Sequence, residues 1–331
     1  MAGPRLIDLV QGSPRRLVAP LMGFPGTALT HSTIWQNEFN SKLQYRTLKS
    51  LVDRFEPDVI FFMMDLAVEA GAIGIPVIFP ANGSPSVAAH LVKRIEDLEQ
   101  FKAVELLYDG RVRTYLDIMR LMDVNFDIPK GAYVIGPFTL AGLMMGATEI
   151  ALATIDNPDL VHAAAEFATQ VIIRYAQALV DAGADLICIL EPTATFISPR
   201  AFRKFSGAYV HRIIEKVNAI PVLHICGNTT HLIQAMVETG AQGLSLDAAV
   251  DLPAAAVKIP EDVVLVGNVD PVRVMVNASG EEVQTSVRTL LDVMAPYPNF
   301  ILSTGCDLPP ETPLENIEAF MAAGKEWKKA G

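Results

Sequence analysis

The residues whose types and spacing could do chemistry are concentrated in Val222-Leu223-His224-Ile225-Cys226-Gly227-Asn228 and, far downstream, Ser303-Thr304-Gly305-Cys306-Asp307. His224 and Cys226 are spaced i, i+2, so on a strand both side chains face the same way. One nitrogen and one sulfur at that spacing can clasp one side of a tetrahedral Zn²⁺. Cys306, on a loop after a later strand, can supply a third bond. Three protein ligands leave a fourth position open, the arrangement of a catalytic zinc. A thiol bound there loses its proton to the metal and becomes a thiolate nucleophile at neutral pH. The competing reading is plain packing. Cysteine is among the most buried residue types, and one His-x-Cys with a remote Cys is a loose metal pattern. Cys188, inside Leu186–Leu190, reads as core for that reason.

Positioning these residues falls to eight short apolar runs that alternate with amphipathic helices. The runs are Leu17–Gly23, Val59–Asp65, Tyr133–Gly136, Leu186–Leu190, Val222–Cys226, Gly243–Leu246, Val263–Val266 and Phe300–Ser303. Apolar runs without period-2 alternation suit parallel strands buried on both faces. Eight such units in 331 residues predict an α/β fold, a (β/α)₈ TIM barrel spanning residues 1–331 as one domain. No Gly-x-Gly-x-x-Gly follows an early strand to favour an open doubly wound sheet. Residues 1–57 read as an N-terminal strand and helical extension, with a helix over Glu38–Phe55. Insertions follow the first two runs, and the larger, residues 80–130, carries helices near Val92–Leu98 and Arg111–Met122. Its place suits a cap on the barrel mouth or an oligomer surface equally. Asn157-Pro158 and Ser198-Pro199 open helices, and Thr312-Pro313-Leu314-Glu315 reads as a capping box.

A barrel gathers its strand ends on one rim, where the catalytic residues of this architecture sit. Asp65, Gly136, Glu191, His224, Cys226, Asp247, Asn268, Asp270 and Cys306 all end or follow the predicted strands. That coincidence brings metal binding level with packing as the reading of His224, Cys226 and Cys306. Asp65 is a candidate catalytic group for hydrogen bonding or proton handling. Glu191 is a second, either a fourth zinc ligand or the group that orients His224. Each acid has a bland alternative, since strand-ending acids commonly cap the next helix.

Composition narrows the partners. Hydrophobic residues at 51% and charged residues at 19% supply a core and argue against disorder. A net charge of −11 argues against nucleic acid and anionic membranes. The apolar runs are too short to span a bilayer and residues 1–16 hold no signal-like stretch, so a cytoplasmic protein is expected. Three cysteines do not make a disulfide framework.

Several separated segments carry a family resemblance: Ile135–Gly142, Leu190–Ala194 with Ile197-Ser198-Pro199, His224–Thr230, Gly267–Pro271 and Gly305–Pro313. Together they resemble the methylcobamide:thiol methyltransferases of the uroporphyrinogen decarboxylase superfamily, whose hallmark is a His-x-Cys…Cys zinc motif matched by His224, Cys226 and Cys306. The resemblance implies a zinc that binds an acceptor thiol and presents it to a methyl–cobalt corrinoid, the acceptor in methanogens being coenzyme M (2-mercaptoethanesulfonate). This sequence shows no Asp-x-His-x-x-Gly corrinoid motif, so the methylcorrinoid donor is expected on a partner corrinoid protein, or free. Phe138, Leu140, Leu143, Met144 and Met145 are expected as an exposed apolar rim receiving it. Asn228, Asp247 and Asn268 join Phe138 as candidate cofactor-binding residues. The small thiol is the second partner, and the chain is expected as a monomer or homodimer. The rival within the fold is a decarboxylase, in which Asp65 matches the aspartate that such enzymes use at pyrrole nitrogens. A polycarboxylate substrate needs an arginine-rich mouth, however, and the first 30 residues offer only Arg5, Arg15 and Arg16. A barrel that has lost catalysis and keeps only its zinc or corrinoid site is a further alternative.

Overall fold

The computed structural model describes residues 5–328. Seven parallel strands lie side by side in the order β1 (Ile60–Phe61), β4 (Lys130–Ile135), β5 (Leu186–Leu190), β6 (Ile220–Ile225), β7 (Gly243–Leu246), β8 (Val264–Val269) and β9 (Phe300–Thr304). A separate antiparallel pair joins β2 (Val77–Ile78), just before the insertion, to β3 (Ser86–Val87) within it. Nearly every residue from β4 to β9 is buried, as expected of strands covered by side chains within and by helices without.

The sheet is closed by extended chain around Val18. Ala19 N–H donates to Leu302 O and Leu302 N–H to Leu17 O, both at 2.9 Å, while Asp58 N–H donates to Val18 O at 3.0 Å. This segment therefore stands between β9 and the chain entering β1, in the place of an eighth strand. The expected strand Leu17–Gly23 is corrected to a single bridge, Val18 with Leu302. The cause is local: Pro20 has no N–H to donate, and Leu21 N–H goes to the Thr304 hydroxyl at 3.1 Å. The expected Val59–Asp65 likewise shrinks to two paired residues, because Met63 N–H is taken by the Gln44 side chain at 3.2 Å.

Helices follow the local signals in most places. Asn157 caps Pro158–Asp181 by accepting from Leu160 N–H, and Ser198 caps Pro199–Phe202 through Ala201 N–H. Two expectations fail. The helix over Glu38–Phe55 is two helices, Ile34–Glu38 and Ser41–Phe55, separated where Asn40 caps the second. Leu314–Glu326 starts after Pro313 with no side-chain cap, so Thr312–Glu315 is not a capping box. The insertion forms β3, a 3₁₀ turn at Ile95–Phe101 and a helix at Gly110–Asn125. After β4, Pro137–Met145 bends by 103° into Ala147–Asp156. No single described helix is long and apolar enough to cross a membrane.

Candidate metal centre

His224 lies in β6, Cys226 directly after it, and Cys306 two residues past β9. The closed sheet brings the three together. His224 Nε2 is 3.1 Å from Cys226 Sγ and 3.7 Å from Cys306 Sγ, and the two sulfurs are 3.5 Å apart. A tetrahedral zinc with bonds of about 2.3 Å to sulfur and about 2.0 Å to nitrogen sets its ligand atoms about 3.5–3.8 Å apart. The donor set suits that ion; the two distances to Cys306 Sγ, 3.5 and 3.7 Å, fall in this range, and the His224–Cys226 pair at 3.1 Å has to open by about 0.4 Å to reach it. His224 is buried and the two cysteines are half-buried, so the cluster is open on one side. The two sulfurs are within hydrogen-bond reach of each other, and this contact lowers the Cys226 pKa and raises that of Cys306, with burial adding to the latter. A dication bound by both thiolates displaces their protons.

The chain holds His224 and Cys226 from behind. His224 is paired in register with Ser245 on β7, and the Ser245 hydroxyl is 2.9 Å from His224 Nδ1. The turn after β6 is pinned from two sides. Thr195 Oγ1 donates to Cys226 O at 2.6 Å, and Gly227 N–H donates to Asp247 Oδ2 at 2.9 Å. Gly227 has φ of 82°, the left-handed region that a glycine enters at little cost, which lets the chain leave β6 immediately after the second ligand.

The sequence profile of the uroporphyrinogen decarboxylase (URO-D) family matches residues 29–327. The chain belongs to that family. Within it, the chain is 32% identical over 251 residues to the methylcobamide:CoM methyltransferase MtbA of Methanosarcina acetivorans, covering 74% of this chain and 72% of that protein. It is 31% identical over 255 residues to the methylcobamide:CoM methyltransferase MtaA of Methanosarcina barkeri, covering 74% and 73%. A uroporphyrinogen decarboxylase of Prochlorococcus marinus is 25% identical over 304 residues, covering 87% and 85%. Among solved structures, a methyltransferase from Methanosarcina mazei superposes with a TM-score of 0.88 at 27% identity, covering 97% of both chains.

The remaining expected site residues of this URO-D family member are held by the chain itself. Asp65 is buried, with its carboxylate ion-paired to Arg111 and accepting from Ala67 N–H at 2.8 Å and Tyr115 O–H at 3.3 Å. Its acceptor sites face the protein. Glu191 is fully buried and makes no hydrogen bond to His224; Ser245 faces His224 instead. Its oxygens accept from Phe138 N–H at 3.1 Å, Thr139 N–H at 2.6 Å, Thr139 O–H at 2.5 Å and Ser206 O–H at 3.0 Å. It caps the rim helix Pro137–Met145, where the unpaired N–H groups of a helix start welcome a carboxylate. Burial nevertheless outweighs these donors and pushes its pKa up to about 7.

The apolar rim is also corrected. Phe138, Leu140 and Met144 are 0% exposed and Met145 is 6% exposed, while Leu143 is half-buried and packed against the core, so this helix packs mostly inward. Phe138 meets Glu191 through its backbone and offers no surface to a cofactor. Asn268 donates to Asp247 O at 2.9 Å and Val250 O at 2.7 Å, fixing the loop after β7. Asp247 caps that loop through Ala249 N–H as well as holding Gly227. Asn228 is exposed beside Cys226 and keeps its side chain at the surface, accepting from Thr230 N–H at 3.2 Å. Asp270 caps the turn after it through Val272 and Arg273 N–H.

Sequence reasoning missed Ser245, Thr195 and Arg111. Ser245 had one signal, a hydroxyl inside the apolar run Gly243–Leu246. Arg111 and Thr195 had none, since their partners are distant in the chain.

Proposed function

We propose that this chain is a zinc-dependent methyltransferase that moves a methyl group from a methylated corrinoid, carried by a partner protein, to a small thiol such as coenzyme M. The observation that carries this is the convergence of His224, Cys226 and Cys306 with one open side, in a chain similar to two methylcobamide:CoM methyltransferases. Zinc held there supplies a Lewis acid that lowers the pKa of a thiol in the fourth position. The thiolates of Cys226 and Cys306 offset the charge of the dication, so a bound substrate sulfur stays electron-rich and nucleophilic. Ser245, Thr195 and Asp247 anchor β6 and the turn after it, so His224 and Cys226 would hold the metal, and with it the acceptor sulfur, in one place. The decarboxylase reading is disfavoured by Asp65, whose carboxylate is neutralised by Arg111 and does not stand free for a pyrrole nitrogen.

Two measurements test the proposal. Purified protein supplied with zinc binds about one ion per chain, and Cys226→Ser or Cys306→Ser lowers that stoichiometry. The transfer assay mixes protein, methylcobalamin and a panel of thiols including 2-mercaptoethanesulfonate, and follows loss of the methyl–cobalt absorbance. A wild type that takes up no zinc sinks the proposal. Porphyrinogen turnover without thiol methylation would assign the chain to the decarboxylases.

A further inference from the structure

An imidazole bound to a metal through Nε2 must carry its proton on Nδ1, and the group facing Nδ1 decides how readily it does so. In this protein that group is a hydroxyl. Ser245 is 3% exposed and His224 is 1% exposed, their backbones are paired in register on β7 and β6, and Oγ lies 2.9 Å from Nδ1. His224 Nε2 meanwhile faces the two sulfurs. No other side chain is within hydrogen-bond reach of Nδ1 among the described residues.

A carboxylate in this place could only accept, and would hold the metal-ready tautomer permanently. A serine hydroxyl both donates and accepts. With Nδ1 protonated it accepts, and the Nε2 lone pair points at the ligand cluster. With the other tautomer it donates to Nδ1, and an N–H points where the metal would sit. We infer that Ser245 is the positioning residue of the metal centre: its hydroxyl sets the tautomer of His224 and reverses its hydrogen bond when metal enters or leaves. The inference rests on the metal reading of His224, Cys226 and Cys306.

The test compares Ser245→Thr with Ser245→Val, which have the same shape and differ only in hydroxyl against methyl. Zinc affinity is read by competition with a chromogenic chelator. The threonine variant is expected to stay close to wild type and the valine variant to bind about 10–100-fold more weakly, the usual cost of removing the group that orients a ligating histidine. Labelled histidine nitrogens give the second readout. In wild type and the threonine variant, adding zinc moves the His224 proton to Nδ1 in a hydrogen-bonded environment, whereas in the valine variant Nδ1–H has no acceptor. Ser245→Ala, which only removes the oxygen, covers the case in which the larger side chains disturb the strand, and it should match the valine loss. Equal zinc affinity in wild type and Ser245→Ala overturns the inference. Failure of wild type itself to bind zinc overturns the metal reading instead, so the two outcomes are distinct.

Discussion

Glu38 is 0% exposed, and neither of its carboxylate oxygens has a hydrogen-bond partner. The nearest opposing charge, Arg111, is committed to Asp65. Burial raises the Glu38 pKa from 4.5 to about 7, with Arg111 only partly opposing the shift. A raised acid is protonated in the folded protein over a range where the unfolded chain has already lost its proton. Its contribution to stability is therefore complete below about pH 4.5 and is lost as pH rises through about 7. The shift corresponds to about 3 kcal/mol in total, with a slope of up to about 1.4 kcal/mol per pH unit in between. The perturbation is Glu38→Gln, which keeps the shape and cannot titrate. Because the buried amide carries unpaired atoms of its own, the absolute stability of the variant is uninformative; the slope is the readout. Denaturant unfolding at several pH values from 5 to 8 should show wild-type stability falling with pH more steeply than the variant's. Glu69 and Glu191, also raised to about 7 by burial, titrate in both proteins and cancel in the difference. Equal slopes would refute the reasoning and show that Glu38 is ionised throughout.

Two further outcomes follow from the same packing. Arg111→Met leaves the Asp65 carboxylate buried and unpaired, and should cost about 3–5 kcal/mol in denaturant unfolding. Pairing it with Asp65→Asn should recover much of that loss, giving a large coupling term in a double-mutant cycle. Gly136→Ala puts a Cβ into the Glu191 carboxyl group, which is packed directly against that position. The expected cost is about 1–3 kcal/mol, read as a lowered melting temperature, because Glu191 must give up some of its four hydrogen bonds.

The strands that were legible in the sequence are those whose residues are buried on both faces, from Leu186–Leu190 through Phe300–Thr304. Their apolar runs report burial directly. The first two strands were less legible because their pairing is settled by distant side chains, Thr304 and Gln44, that take up backbone N–H groups. The same division runs through the site. His224 and Cys226 were legible because a strand fixes the facing of residues two apart, and Cys306 because it follows a strand end. Glu191, which also follows a strand end, reads from the sequence as a candidate for the metal or for orienting His224, with helix capping as the alternative. Its carboxyl group turns toward the start of the neighbouring helix, where Phe138 and Thr139 N–H groups donate to it.

By itself, then, the sequence determined the donor atoms, two sulfurs and an imidazole, and the parallel strands that carry them. Those follow from residue type and from period, which are local properties. Only the tertiary structure decided which groups stand behind the donors: Ser245 at His224, Thr195 and Asp247 around Cys226, and Arg111 over Asp65. Such partners are chosen by the register between neighbouring strands and by loops folding across the rim. No spacing along the chain encodes either.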